Sequence, residues 1–439
     1  MKKIAIIGFG RIGSVLGAYL SKFKNNLVYG IDINKNLLNS FYSQREIFNE
    51  PGIYKLIKQS LIKKKLILSN DLRDIKKCDY IIICVGTPLK KNLKSVDNKY
   101  LKKCIFQIEK YLNAKKTVIL KSSVVPGTTS SLFKKIYKRK KFKFGYCPER
   151  LAEGTALKDI KNNKLLISGY DKKSLDKINK FWLSFKIKTL KLRTPEEAEI
   201  TKLASNSWID LNIAFANEIA KTVDHLKFDV DIINVIKAAN TLKKGSSYVN
   251  ILLPSLGVGG YCLTKDPVFL DREKSEKEKY SLISEARKIN NDMPAYCASR
   301  ILSIISKKKI KIKNQKILIL GATFKGNTDD VRETPVFEFI RELKNKKLKN
   351  ITIYDEYIKF DDRKLFDCNF TDDLKFSLKN STILVIAANH DYIRKSTPKI
   401  IERYFKKNGL VFDGRRYFSE KDKYKIKNNK FNYMGVGRS

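Results

Sequence analysis

Histidine is nearly missing from this chain, with only His225 and His390 in 439 residues. Tryptophan (2) and methionine (3) are as scarce. The seven cysteines (Cys78, Cys84, Cys104, Cys147, Cys262, Cys297 and Cys368) contain no CxxC pair and no zinc spacing. A metal centre is therefore poorly supplied, and an odd cysteine count in a long chain fits a reducing cytoplasm better than a disulfide framework. No stretch of about 18 apolar residues occurs, which excludes a membrane-spanning helix. Lys2 and Lys3 ahead of an apolar run resemble a secretory signal, but Arg11 interrupts the apolar core such a signal needs. Arginine is scarce relative to the charge. Of 90 Lys+Arg only 17 are arginine, leaving 73 lysines against 45 Asp+Glu and a net charge of +45. Base readout and bidentate phosphate clamps favour arginine. The lysines are spread through every segment, with clusters at 63–65, 138–141 and 307–309 where loops or helix ends are expected. We read them as a solvated surface, with no nucleic-acid and no membrane partner.

What is present is a globular composition, 43% hydrophobic and 11% aromatic, at a length that suits two or three domains. Residues 3–7 form an apolar, strand-like run. Gly8-Phe9-Gly10-Arg11-Ile12-Gly13 follows, then a stretch with helical spacing, then Asn26–Asp32, a second strand ending in an acid. Asp32 lies 19 residues after Gly13, close to the roughly 20 expected for the carboxylate that holds an NAD ribose. The three glycines supply a tight turn, close backbone approach to a pyrophosphate and close helix packing, and the helix N-terminus faces the phosphates. Strand-like runs recur at 79–85, 117–121 and 143–147, each leading into a polar turn. Strands alternating with helices indicate a parallel α/β sheet, whose ligands bind beyond the C-terminal strand ends. Long helical patterns occupy 196–226 and 280–306. A second α/β unit follows, with runs at 316–321, 351–355, 382–387 and 410–413. The expected fold class is α/β: two Rossmann-like doubly wound domains joined by a long central helix, divided as 1–193, 194–305 and 306–439.

Two groups carry chemistry. Cys262 stands in Gly257-Val258-Gly259-Gly260-Tyr261-Cys262-Leu263-Thr264-Lys265-Asp266. Glycines there permit close approach of a ligand and leave the thiol accessible, and a nearby cation favours the nucleophilic thiolate. The other six cysteines read as structural. Lys202 and Asn206, four apart on one helix face, suit an oxyanion site; the same spacing also fits a solvated polar face.

Taken in order, these segments resemble the nucleotide-sugar 6-dehydrogenase family, which includes the UDP-glucose and UDP-N-acetylmannosamine dehydrogenases. The resemblance runs through the Gly8 turn, Gly86-Thr87-Pro88, Ser122–Thr129, Pro148–Gly154, Glu197–Asn206, Gly259–Asp266, Phe324–Arg332 and Asp413-Gly414-Arg415. It implies two successive NAD-dependent oxidations at C6 of a UDP-sugar, from alcohol through aldehyde to carboxylate, by a homodimer serving polysaccharide synthesis. Cys262 would form the thiohemiacetal and thioester. Lys202 and Asn206 would stabilise the oxyanions, Asp266 would orient or activate water, and Glu149 or Glu153 would be the base for thioester hydrolysis. The resemblance implies Gly8, Gly10, Arg11, Ile12, Gly13, Asp32, Lys35, Thr87, Ser123, Glu153, Lys265 and Arg332 for the cofactor. For the sugar nucleotide it implies Glu149, Arg150, Leu151, Glu153, Lys202, Asn206, Tyr248, Asn250, Gly259 and Lys325.

The chain departs from the family pattern at Ser123 (commonly threonine), Thr264 (commonly proline) and Ser255 (commonly glycine). Lys243 and Lys244 stand in the stretch that usually carries a substrate arginine. Arg150 and Val249-Asn250-Ile251 resemble the acetamido-sugar branch, whereas Glu153-Gly154 resembles the UDP-glucose pattern. The expected substrate is a UDP-N-acetylhexosamine such as UDP-N-acetylmannosamine, then UDP-glucose, with GDP-mannose third. The alternatives are a one-step hydroxyacid or polyol dehydrogenase, indifferent to Cys262, and a basic nucleic-acid-binding protein. The latter needs basic and aromatic residues interleaved on one face, a pattern this sequence lacks.

Overall fold

The computed structural model describes residues 1–43, 46–90, 96–226, 228–271, 278–308, 311–428 and 431–438. The chain divides into two compact units, Met1–Ser205 with Val268–Lys277 and Asn206–Pro267 with Glu278–Ser439.

In the first unit, strands β1 (Lys2–Ile7), β2 (Asn26–Ile31), β3 (Leu66–Ser69), β4 (Tyr80–Ile83), β5 (Thr117–Leu120) and β6 (Lys143–Tyr146) form one parallel sheet ordered β3-β2-β1-β4-β5-β6. This is the doubly wound order of dinucleotide-binding folds. The strands read as continuous apolar runs because helices cover both faces. Ile4 and Ile6 point into a cluster with Val15, Leu16 and Trp182, while Ala5 and Ile7 point into another with Leu101, Phe133 and Phe144. A short parallel pair, β7 (Leu165–Ile167) and β8 (Thr189–Lys191), completes the unit.

The second unit contains a small antiparallel hairpin, β9 (Lys243–Lys244) and β10 (Ser247–Tyr248). It also contains β11 (Lys316–Leu320), β12 (Asn350–Tyr354), β13 (Asn369–Phe370), β14 (Ile383–Ile386), β15 (Leu410–Asp413) and β16 (Asn432–Gly435). Their order, β13-β12-β11-β14-β15-β16, is the same permutation, again parallel throughout. Here too the alternation is strict: Ile317 and Ile319 face one cluster, Leu318 and Leu320 the other.

The long helix Pro195–His225 opens with proline at its first position and Glu196 and Glu197 in its first turn, both favourable at an N-terminus. In the second unit its Ala216 and Ala220 pack with Met293, Cys297 and Ile301 of helix Leu282–Lys307 and with the Ile317 face of the sheet. Both helices lie within two residues of their expected bounds. The sequence reading missed β3, β13, β16, the β7–β8 pair and the hairpin. β3 directly follows Lys63–Lys65 and turns Ile67 outward, and β13 has only two residues; an edge strand that short leaves little alternation to read. The lysines at 63–65 and 138–141 are exposed or half-buried at helix ends; of the third cluster, residue 309 lies outside the described residues. No helix of the described residues is long and apolar enough to cross a membrane.

Candidate active site

The turn after β1 shows why it needs its glycines. Gly8 has φ 88° and would place a Cβ 2.8 Å from the Cys84 carbonyl; a Cβ at Gly13 would sit 2.0 Å from the Gly8 oxygen. Those two permit close packing of turn, strand and helix. Gly10 differs. Nothing lies within 4 Å of its missing Cβ, so its surroundings leave room for a ligand against the backbone. Gly10 also caps helix Arg11–Ser21, which has no acid in its first turn, so Arg11, Ile12 and Gly13 open a helix whose N-terminal charge is not offset by an acid within that turn. Asp32 is half-buried; its Oδ2 accepts the Phe9 N–H (2.8 Å) and its Oδ1 the Asn34 N–H (2.9 Å). Lys35 is exposed at the start of the next helix. These residues fit the diphosphate and ribose of NAD.

The loops at the C-terminal strand ends are stitched together. Thr87, buried, donates its hydroxyl to the Ser123 carbonyl (2.6 Å), and Ser122 donates to the Val85 carbonyl (2.6 Å). Glu149 accepts the Arg150 and Leu151 N–H groups (2.8 and 3.1 Å) and pairs with buried Lys121 (3.2 Å), which also donates to the Cys147 carbonyl. Glu153 lies 3.6 Å from the Arg11 guanidinium. Arg150 is exposed, and its guanidinium donates to the Lys164 carbonyl. Leu151 packs against the core. Two buried glutamates that sequence reasoning missed hold these loops. Glu50 accepts the Gly154 and Ala156 N–H groups (2.8 and 2.9 Å), and Glu199 accepts those of Gly127 and Thr129 (2.6 and 2.8 Å). No local spacing marks either, because the partners are more than 65 residues away in sequence. Lys202, buried, follows Glu199 on the same helix.

The second unit carries the cysteine loop. Of the seven cysteines, all within the described residues, Cys262 alone is exposed. Burial pushes the Cys78, Cys84, Cys104 and Cys368 thiols up to about 12 and Cys147 to about 11, and raises Cys297 further. Burial thus disfavours the nucleophilic thiolate at those six. The Cys262 carbonyl accepts the N–H of Asp266 (2.9 Å), where a short helix begins. Asp266 is fully buried, and the Asn206 amide donates to its Oδ2 at 2.6 Å. Tyr261 is flanked by two cations, Lys265 (4.6 Å from the ring centre) and Arg332 (5.5 Å). Arg332 is itself forked onto the buried Asp330 carboxylate.

The glycines of this loop have a different use from the one expected. A Cβ at Gly259 would lie 2.4 Å from the Glu333 carbonyl, one at Gly260 2.5 Å from the Phe324 ring, and one at Gly257 2.6 Å from Pro335. The close approach they permit is to the 324–335 segment, which draws the Gly259–Asp266 and Phe324–Arg332 segments together. The two departures in the loop compensate locally: Thr264 donates its hydroxyl to the Gly260 carbonyl (3.0 Å), and Ser255 donates to the Gly257 carbonyl (2.9 Å). Lys325 is exposed. Tyr248, Lys243 and Lys244 are exposed on the hairpin, and exposed Asn250 gives its carbonyl to Asn212 (2.6 Å).

Comparison with known proteins agrees with this geometry. Residues 2–186, 196–292 and 318–420 match, in that order, the NAD binding, central and UDP binding domains of the UDP-glucose/GDP-mannose dehydrogenase family. A UDP-N-acetyl-D-mannosamine dehydrogenase of Methanocaldococcus jannaschii is 32% identical over 433 residues, covering 97% of this chain and 96% of its own. The solved structure of a UDP-D-ManNAc dehydrogenase from Pyrococcus horikoshii matches with a TM-score of 0.87 at 29% identity over 99% of each chain. That of a UDP-glucose dehydrogenase from Pyrobaculum islandicum matches at 0.85 and 25% identity, over 100% of this chain and 98% of the other.

Proposed function

We propose that this chain, which belongs to the UDP-glucose/GDP-mannose dehydrogenase family and so is an NAD-dependent oxidoreductase acting on nucleotide sugars, carries out both oxidations at C6 of a UDP-N-acetylhexosamine through Cys262. The observation that carries the reading is the exposure of that one thiol on a loop that leads into Asp266, whose buried carboxylate accepts from the Asn206 amide. The parts 1–193, 194–305 and 306–439 serve cofactor binding, helical pairing and sugar-nucleotide binding respectively.

NAD supplies the hydride acceptor, once per oxidation. An alcohol needs only that acceptor and a base. The aldehyde must first become tetrahedral before it can lose a second hydride. The Cys262 thiolate adds to C6, and the oxygen takes up a proton to give a thiohemiacetal; loss of hydride and proton leaves a thioester. Water then cleaves the C–S bond, releasing the carboxylic acid and restoring the thiol. Lys202 and Asn206 donate to the oxyanions of these steps. Asp266, fixed by the Asn206 amide, orients the water, and Glu149 or Glu153 removes its proton. UDP-N-acetylmannosamine is the favoured substrate, supported by the relative of that activity at 32% identity along nearly the whole chain; UDP-glucose is second. A homodimer is supported by Trp208 and Phe215, seven residues apart on one helix face and 60% and 48% exposed.

The experiment is Cys262→Ser assayed with UDP-N-acetylmannosamine, UDP-N-acetylglucosamine, UDP-glucose and GDP-mannose. Acid formation falls at least about 1,000-fold if a covalent intermediate is required. A variant that still makes acid at the wild-type rate would return the chain to a one-step or cysteine-independent chemistry.

A further inference from the structure

We propose that Glu199 is a positioning residue of the cofactor site: its carboxylate holds the Ser122–Thr129 turn, and with it Ser123, from the same helix that carries Lys202. The inference rests on the dehydrogenase reading and adds to it a residue that acts through others.

Glu199 is fully buried. Its Oε2 accepts the Gly127 N–H at 2.6 Å, and its Oε1 accepts the Thr129 N–H at 2.8 Å and the Thr129 hydroxyl at 2.5 Å. Gly127 is the N-cap of helix Thr128–Lys140 in a left-handed conformation (φ 81°). A glycine has no side chain with which to satisfy first-turn N–H groups, so the cap comes from a carboxylate some 70 residues further along the chain. Carboxyl oxygens that accept at that end also suit the helix dipole. The neighbouring Ala198 is fully buried in the cluster of Val124, Phe133 and Phe144, which seats this turn of the helix against the sheet. At its other end the turn is held by Ser122 on the Val85 carbonyl and by Thr87 on the Ser123 carbonyl. Ser123 therefore sits between two anchors, and Glu199 is the rear one. Glu50 repeats the device on the next loop, where its buried carboxylate grips the N–H groups of Gly154 and Ala156 beside Glu153. In both places a remote glutamate fixes the backbone N–H groups of a strand-end loop.

The test is NAD affinity of the full-length chain by calorimetric titration without sugar, with KM for NAD and kcat measured alongside. Glu199→Ala is expected to weaken NAD binding about tenfold, since two buried N–H groups and a hydroxyl lose their acceptor, with KM for NAD rising more than kcat falls. Glu199→Gln retains one acceptor oxygen and should recover most of the affinity. Thr129→Val removes one of three bonds and should give the smallest loss. Should Glu199→Ala fail to fold, Gln and Val carry the test. A merely structural glutamate would lower Tm and leave NAD affinity of the folded variants at the wild-type value, and that result would overturn the proposal. Because NAD is titrated alone, a single NADH per sugar in the turnover assay would defeat the two-step reading and leave this one standing.

Discussion

The two six-stranded sheets have the same strand order, and their first turns begin alike. Gly8 and Gly321 both have φ 88°. In the first unit Asp32, at the end of β2, accepts the N–H of Phe9; in the second Asp355, at the end of β12, accepts that of Ala322 (2.7 Å). From there they diverge. After Gly8 the chain enters its helix at Arg11 over an open Gly10, whereas after Gly321 it runs through a loop to residue 334 before helix Pro335–Asn345, whose N-cap is Thr334. Asp32 is half-buried and has only backbone partners among the described residues. Asp355 is sealed: the buried His390 imidazole lies 3.2 Å away, stacked against Tyr357 and Tyr392. Burial works against its charge, yet His390 and the Ala322 and Tyr357 N–H groups hold it below the usual carboxylate range. One acid is thus available to a ribose and the other is part of a core. A strand order places a site; the turn and what covers its acid decide which ligand it takes.

The largest effect that would test this contrast is Asp355→Ala, which strips the partner from a buried imidazole and two N–H groups. A loss of about 3–5 kcal/mol of stability is expected, read by urea unfolding, with NAD affinity of the folded fraction unchanged. Asp32→Ala should do the reverse: NAD affinity falls roughly 10- to 100-fold, the scale of one or two lost charge-assisted hydrogen bonds, with little change in the urea midpoint. If both variants lose NAD binding equally, the contrast is wrong. A smaller effect sharpens it within the first turn. Gly10→Ala meets no protein atom and should fold normally while weakening NAD roughly tenfold by crowding the ligand; Gly13→Ala, which meets the Gly8 carbonyl, should cost folding itself.

The smallest effect is a slope. Burial pushes the Glu199 carboxyl up to about 7 from 4.5. Between those values the native chain keeps a proton that the unfolded chain releases, so this group makes stability fall as pH rises through that window, by at most about 1.4 kcal/mol per pH unit. Glu199→Gln should be flatter than wild type between pH 5 and 7 in urea unfolding; parallel curves would show that the carboxylate is not so shifted.

Much of this was legible in the residues. β1, β4, β5 and β11 announce themselves because strands buried on both faces must be continuously apolar, and the Gly8 turn because a dinucleotide requires glycine at fixed offsets. Cys262 stands out by its neighbours, and it is the exposed one of the seven thiols. What the residues hid were long-range relations. Glu50 and Glu199 look like ordinary helix or loop acids until the fold brings their backbone partners to them, and the glycines before Cys262 read as room for a ligand when the 324–335 segment fills that room.

The central claim is a four-electron oxidation through one active cysteine, and its direct measure is NADH released per mole of UDP-N-acetylmannosamine consumed to completion by the wild-type chain. Two NADH, with the C6 acid as sole sugar product, is the predicted result. One NADH with an aldehyde or ketone product would contradict it and remove Cys262 from the chemistry.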